Sequence, residues 1–341
     1  MIEDIEPGSP DAGVPAHFGD PLREQRLLAT EAGLVDRSHR GVVAVPGADR
    51  LTWLHNITTQ HLTALAPNQG TQTLVLSPHG HIEHHAYVTD DGETTWLDVE
   101  PGTAGGLLDF LQRMRFLMRV EPADVTAGWA LLSLVGPAAG RLLALPEPQV
   151  APVPGPKFAA GTVPSLPTSV YAVQPAFGGW ARRGTFGIDL LVPRDSVDAV
   201  ARDLDVPRAG LWAYNGLRVA ERRARLGWET DHRTLPAEVG FTAEAVHLEK
   251  GCYRGQETVA RVHNLGRPPR RLVLLHLDGI GSDHPPAQGT EVVSDGRTVG
   301  FVGTAVQHHE LGMIALALLK RNISDDAPLR VGESVAAIDS D

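Results

Sequence analysis

Cysteine is nearly absent from this chain. The 341 residues hold one, Cys252, so no intramolecular disulfide framework can form, and a reducing compartment fits. An excess of positive charge is missing too: 30 Lys and Arg against 41 Asp and Glu leave a formal charge of −11. Phosphate binding needs a basic face, so this balance argues against a broad nucleic-acid footprint. There is no long hydrophobic run. The longest apolar stretch, Met313 to Leu319, falls far short of the ~20 residues that span a bilayer. The first residues, MIEDIEPGSPDAG, are acidic and lack an apolar core, so no secretory signal is expected and the default location is the cytoplasm. Aromatics are scarce at 5%, whereas 36 Gly and 26 Pro point to many turns and a largely β or mixed architecture.

What is present suits a globular protein. Hydrophobic residues make up 42% and charged ones 21%, and the length suggests two or three domains or subdomains. Asp20 as cap and Pro21 at the first helical position predict an early helix. A strand is expected at Gly41 to Val45 and a helix at Asp49 to Asn56. Turn residues at Ser77 to Gly80 and Asp90 to Gly92 then divide a three-stranded meander: Thr71 to Leu76, Ile82 to Thr89, Thr94 to Val99. Gly102 to Arg115 reads as a helix with Leu107, Leu108, Leu111 and Met114 on one face. The proline-rich stretch at residues 145–168 reads as an exposed connection. Phe186 to Val192 is expected as a strand, Asp195 to Leu204 as a short helix, and Leu211 to Leu226 as a longer helix ending near Gly227. Beyond Arg267-Pro-Pro269 short strands take over: Arg271 to Leu277, Thr290 to Val293, Thr298 to Gln307, Met313 to Leu319 and Ser334 to Ile338. The Asp295-Gly296 hairpin signal sits among them, and the set suits a small antiparallel barrel. The arginines at 218, 222, 223 and 225, and those at 267, 270 and 271, are read mostly as solvated helix and strand faces.

The segment Lys250-Gly-Cys-Tyr-Arg-Gly-Gln-Glu257 concentrates the chemistry. Lys250 and Arg254 flank the thiol and would favour thiolate, and glycines 251 and 255 would let a ligand approach the backbone. Gln256 and Glu257 offer an amide and a carboxylate at the start of a helix, which suits recognition of a polar heterocycle. The residues alone leave Cys252 open between a reactive thiol and a small residue packed in a Gly-rich turn.

KGCYRGQETVAR strongly resembles the signature of the YgfZ family of folate-binding proteins, relatives of the glycine cleavage system aminomethyltransferase (T-protein). Leu217 to Asp231, Pro236 with Glu238, Asn264-Leu-Gly266, Arg270 to Val273 and Trp53 to Gln60 resemble further family segments, so the similarity extends over nearly the whole chain. The resemblance implies an α+β fold: a ring of three subdomains around a central folate pocket, ending in a small antiparallel β-barrel. Residues 1–268 would form the folate-binding part, two interleaved α+β subdomains, and 269–341 the barrel. It also implies binding of tetrahydrofolate or a derivative, and a role in assembling or repairing iron–sulfur proteins, including tRNA-modifying enzymes. Cys252 would be the redox or cluster-facing thiol. Arg218, Lys250, Tyr253, Gln256 and Glu257 would contact the folate together with His84 and Thr185. Arg218 would pair with its glutamate carboxylates.

Three segments depart from the aminomethyltransferase pattern. Ser77 to His85 resembles its N-x-x-G-G-I-x-D-D segment, with His84 and His85 in place of the acid pair. Arg183 to Leu190 resembles T-G-E-D-G-Y-E-I, with Thr185 at the Glu position. Ala220 stands where the R-I-E-A-G stretch has Glu. These replacements predict a binding protein that has lost aminomethyltransferase turnover. A folate-dependent one-carbon transferase and a ligand-free interaction module are the alternatives. Iron–sulfur client proteins are the expected partners, with no direct nucleic acid and no membrane. His79, His81, His84 and His85, with Glu83, invite a metal reading, but a strand turns His84 and His85 to opposite faces, so no metal is expected there. His308 and His309 are expected to be exposed, and Trp180, Trp212 and Trp228 to pack in the core.

Overall fold

The computed structural model describes residues 2–143, 170–184, 187–279 and 284–339. The connection expected at 145–168 and the site residue Thr185 lie outside the described residues.

The early helix forms at Pro21–Thr30, and the Asp20 carboxylate accepts from the amides of Leu22 and Arg23, as a capping side chain should. The strand at Gly41–Pro46, the helix at Arg50–Ile57, the meander Gln69–Leu76, Ile82–Asp90 and Thr94–Val99, and the helix Ala104–Arg113 all follow the sequence reading closely. They assemble into an antiparallel five-stranded sheet, with Gly41–Pro46 between the meander and the short strand Ala123–Asp124. Its outer face buries Val43, Val75, Val88 and Leu97 against Trp53, Leu54, Leu107 and Leu111 of the two helices.

A second sheet of six strands is ordered Val173–Ala176, Gly179–Arg183, Gly187–Pro193, Trp129–Val135, Gly33–Asp36 and Arg208–Ala209. Only its last pair is parallel. Helix Val197–Leu204 covers one face through Val200. The third unit is a closed six-stranded barrel from Arg270 to Ile338, in which Arg270–Leu277 pairs with both Gly312–Lys320 and Ser334–Ile338. Its tight hairpin has Asp295 and Gly296 at φ 48 and 72, the left-handed pair such a two-residue turn requires.

Three apolar seams close the ring. Val42, Leu131, Trp180 and Leu191 join the two sheets. Val219 packs on Leu274, Ile314 and Leu316 between helix Leu211–Ala220 and the barrel. Leu74, Leu76, Phe241, Tyr253 and Leu318 join the barrel to the first sheet.

Several expectations are corrected. The helix beginning at Leu211 ends at Ala220, six residues before Leu226, and Arg222 turns to φ 56. Unwinding there brings the Arg225 amide to Glu229 Oε2 at 2.7 Å and its guanidinium to Asp11. Most of the arginines read as solvated are not: Arg218 and Arg225 are buried, Arg270 lies between Asp231 and Glu238, and Arg271 pairs with Asp325. His308 is 5% exposed, its ring tilted against His309 with centres 4.4 Å apart, whereas Trp212 is 46% exposed. Trp180 is buried as expected.

Candidate functional site

The inner faces of the two sheets carry charge where strands usually carry apolar residues. Arg182, fully buried, donates to Asp98 at 2.7 Å and to Asp189 at 2.9 Å, bridging the sheets. Arg40 reaches Glu100 at 2.5 Å and Asp98 at 3.3 Å. Arg225 completes the chain with Glu100 at 2.8 Å and Asp11 at 2.6 Å, and Asp11 also meets His39 at 3.1 Å. Burial pushes the Glu100 and Asp189 carboxyls up, but the arginines outweigh it: Arg225 and Arg40 hold Glu100 well below its usual range, and Arg182 and Arg37 lower Asp189.

This network walls a central cavity that opens to solvent. The first sheet contributes His85, Tyr87 and Glu100; the second contributes Arg37, Ser133, Val135, Gly187 and Asp189, with Gly184 at its edge. Tyr214 and Arg218 enter from helix Leu211–Ala220, and Arg223 to Arg225 from the segment after it. Arg37 lies over the Tyr214 ring at 4.6 Å. His85 stacks on Phe241 with ring centres 4.4 Å apart, and burial pushes it down to about 4, so the imidazole is neutral near pH 7.

The expected site residues divide. Arg218 lines the cavity, but every nitrogen of its guanidinium already donates within the protein: Nε to Asn215 Oδ1 at 3.1 Å, Nη1 to the Arg223 carbonyl and Glu229, Nη2 to Thr304 Oγ1 at 2.6 Å. His84 faces the other side of its sheet, into a separate apolar cavity with Leu54, Leu62, Leu107 and Leu111; its neighbour His85 takes the central place. The strand's period of two dictates that exchange.

Lys250, Cys252, Tyr253, Gln256 and Glu257 do not line the cavity. Lys250 Nζ donates to the carbonyls of His55, Thr58 at 2.7 Å and Gln60 at 3.3 Å. It thus caps the end of helix Arg50–Ile57, joining the two segments that carry much of the family resemblance. Burial pushes this amine down to about 8. Tyr253 packs in the seam with Leu74 and Phe241, and Gln256 Nε2 donates to the Lys250 carbonyl at 3.2 Å. Glu257 and Cys252 are exposed. Neither flanking cation is turned to the thiol, since Arg254 pairs with Glu83 at 3.1 Å. Gly255 sits at φ +81, where a Cβ would lie 2.6 Å from the Ser77 carbonyl, so what approaches this backbone is the protein's own Ser77–Gly80 turn. Asp231 and Glu238 of the other motifs grip Arg270 at 2.7 and 2.8 Å and so fasten the barrel.

Sequence reasoning placed the segment Arg183 to Asp189 in the pocket wall, and Asp189 is there, but it missed Asp11, Arg37, Glu100 and Tyr214. A signal exists for part of the network: Asp189 is the single charge in strand Gly187–Pro193 and Asp98 the single charge in Thr94–Val99. Burial of such a group demands a partner. No cluster of three or more His, Cys, Asp and Glu among the described residues could hold a metal ion. No helix among them is long and apolar enough to cross a membrane.

Two sheets walling a charged cavity, with a closed barrel packed beside them, define the aminomethyltransferase-like fold. The crystal structure of the glycine cleavage system aminomethyltransferase T from Bartonella henselae superposes with a TM-score of 0.78 over 98% of this chain and 92% of that one, at 19% identity. Residues 15–151 match the GCVT N-terminal domain, and 270–338 the CAF17 C-terminal beta-barrel domain. In sequence the chain is 30% identical to an aminomethyltransferase of Geobacillus kaustophilus (strain HTA426) over 323 residues, 91% of this chain and 85% of that protein. It is 27% identical to a chloroplastic putative transferase of Arabidopsis thaliana over 331 residues, 93% of this chain and 73% of the relative. The chain belongs to the YgfZ/CAF17 family of these GcvT-like proteins.

Proposed function

We propose that the protein binds tetrahydrofolate or a derivative in the central cavity and supports assembly or repair of iron–sulfur proteins, including tRNA-modifying enzymes, without aminomethyltransferase turnover. His85, Tyr87 and Tyr214 offer aromatic and hydrogen-bonding surface to a pterin, and Arg223, paired with Glu221 at 2.9 Å and 27% exposed, brings positive charge to the wall for a glutamate tail. The observation that carries the loss of turnover is the state of the cavity's carboxylates. Glu100 and Asp189 are both held by arginines, and the position resembling a T-protein acid is a neutral imidazole. None of these is suited to neutralise a methylene-iminium or to take a proton from an amine.

The iron–sulfur role rests on the resemblance of the Lys250–Glu257 segment and on the exposure of Cys252, which leaves the thiol accessible to a client protein. Calorimetric titration with tetrahydrofolate tests the ligand; absence of heat at high micromolar concentration defeats it. Turnover of methylene-tetrahydrofolate with an amine donor would instead favour a one-carbon transferase. For the thiol, Cys252→Ala should keep folate binding yet fail to restore a dependent iron–sulfur enzyme in a deletion strain. Full rescue would make the cysteine dispensable.

A further inference from the structure

The recognition chemistry of the cavity is set by a hydrogen-bond chain that begins outside its lining. Glu244, on the short helix Phe241–Ala245, lies 2.5 Å from Gln72 Nε2, and the Tyr171 hydroxyl lies 2.5 Å from the same nitrogen. A carboxylate only accepts, so the amide turns its NH2 toward Glu244 and its Oε1 toward His85. Gln72 Oε1 is 2.7 Å from His85 Nε2. A carbonyl oxygen likewise only accepts, so Nε2 carries the ring proton and Nδ1 keeps its lone pair. The ring is held in place by Phe241, stacked at 28° between planes, and by Tyr87 with centres 5.2 Å apart. No hydrogen bond among the described residues reaches Nδ1, and His85 lines the cavity.

We propose that His85 is a specificity-determining residue, presenting Nδ1 as a neutral hydrogen-bond acceptor, with Gln72 and Glu244 as the positioning residues that set its tautomer. Such an acceptor selects a ligand offering an N–H or O–H donor on an uncharged ring and disfavours an iminium cation, which a carboxylate would attract. The charged groups acting on the imidazole are Glu100 and Asp98, which favour protonation, and Arg40, which opposes it; burial outweighs all three. The choice of ligand rests on the folate reading, since a reduced pterin carries ring N–H donors; the tautomer does not.

Two measurements separate the two. Nitrogen-15 NMR of the imidazoles in the full-length, ligand-free protein near neutral pH should show His85 as the neutral Nε2–H form, and Glu244→Gln should convert it to a tautomer mixture. An Nδ1–H or imidazolium form in the unsubstituted protein overturns the proposal. In calorimetry, His85→Phe should weaken tetrahydrofolate about tenfold, the scale of one hydrogen bond. Unchanged affinity overturns the specificity role. If the unsubstituted protein binds no tetrahydrofolate yet shows the Nε2–H form, the folate reading fails and the neutral acceptor stands.

Discussion

At the scale of single residues, the imidazole of His85 links stability to pH. The unfolded chain takes up this proton near 6.5, the folded one only near 4, because the charged ring would lose its water on burial. Between those values the unfolded state binds more protons, so stability falls as pH drops through the window. The full span corresponds to about 3 kcal/mol at ~1.4 kcal/mol per unit. Urea melts near neutrality and near the lower limit should show that loss, and it should shrink in His85→Phe. Cys252 makes the opposite case. It is exposed, so Cys252→Ala should change stability by no more than ~0.5 kcal/mol in the same melts. A larger loss would mean the thiol packs against something in solution. The sequence identified position 252 by its chemistry, but it could not show that Lys250 and Arg254 aim their charges elsewhere. Side-chain direction depends on what the fold brings near, here the helix-end carbonyls and Glu83.

At the scale of elements, local signals were sufficient wherever they were short-range. Asp20 and Pro21 began a helix, turn residues divided the meander, and Asp295-Gly296 closed a hairpin. They were insufficient where distant partners overrule propensity. Helix Leu211–Ala220 stops because Arg225, only 8% exposed, must meet Asp11 and Glu100 from far along the chain. The Lys250–Glu257 segment is itself an element with packing demands. Gly255→Ala would need a non-glycine residue at φ +81 and place a Cβ against the Ser77 carbonyl, so it should cost about 1–3 kcal/mol in a urea melt. Lys250→Met should cost a similar ~1–3 kcal/mol, since it leaves buried carbonyls of the Trp53–Gln60 segment unpaired. If both variants melt like the unsubstituted protein, the segment is not the clamp its contacts indicate.

At the scale of the whole molecule, the two sheets are joined by apolar residues on one side and by buried ion pairs on the other. Arg182 is the keystone of the second set, fully buried between Asp98 and Asp189. Arg182→Met would leave Asp98 with Arg40 at 3.3 Å, and Asp189 with Arg37 at 3.4 Å and the Ser133 hydroxyl. Breaking a buried pair costs about 3–5 kcal/mol, so cooperative unfolding should shift toward lower urea. A small shift would show that water reaches those acids. By itself the sequence determined the kinds and order of the elements, the terminal barrel and the family signature, because these follow from periodicity, turn chemistry and motif within a few neighbouring residues. Only the tertiary structure decided which side chains share the cavity. It moved His84 out and His85 in by the two-residue period of one strand, and turned the signature segment into a clamp. It also assembled a charge network whose members lie up to 214 positions apart in the chain. Contacts over that separation leave no periodic trace in the sequence; they exist only once burial makes an unpaired charge too costly to keep.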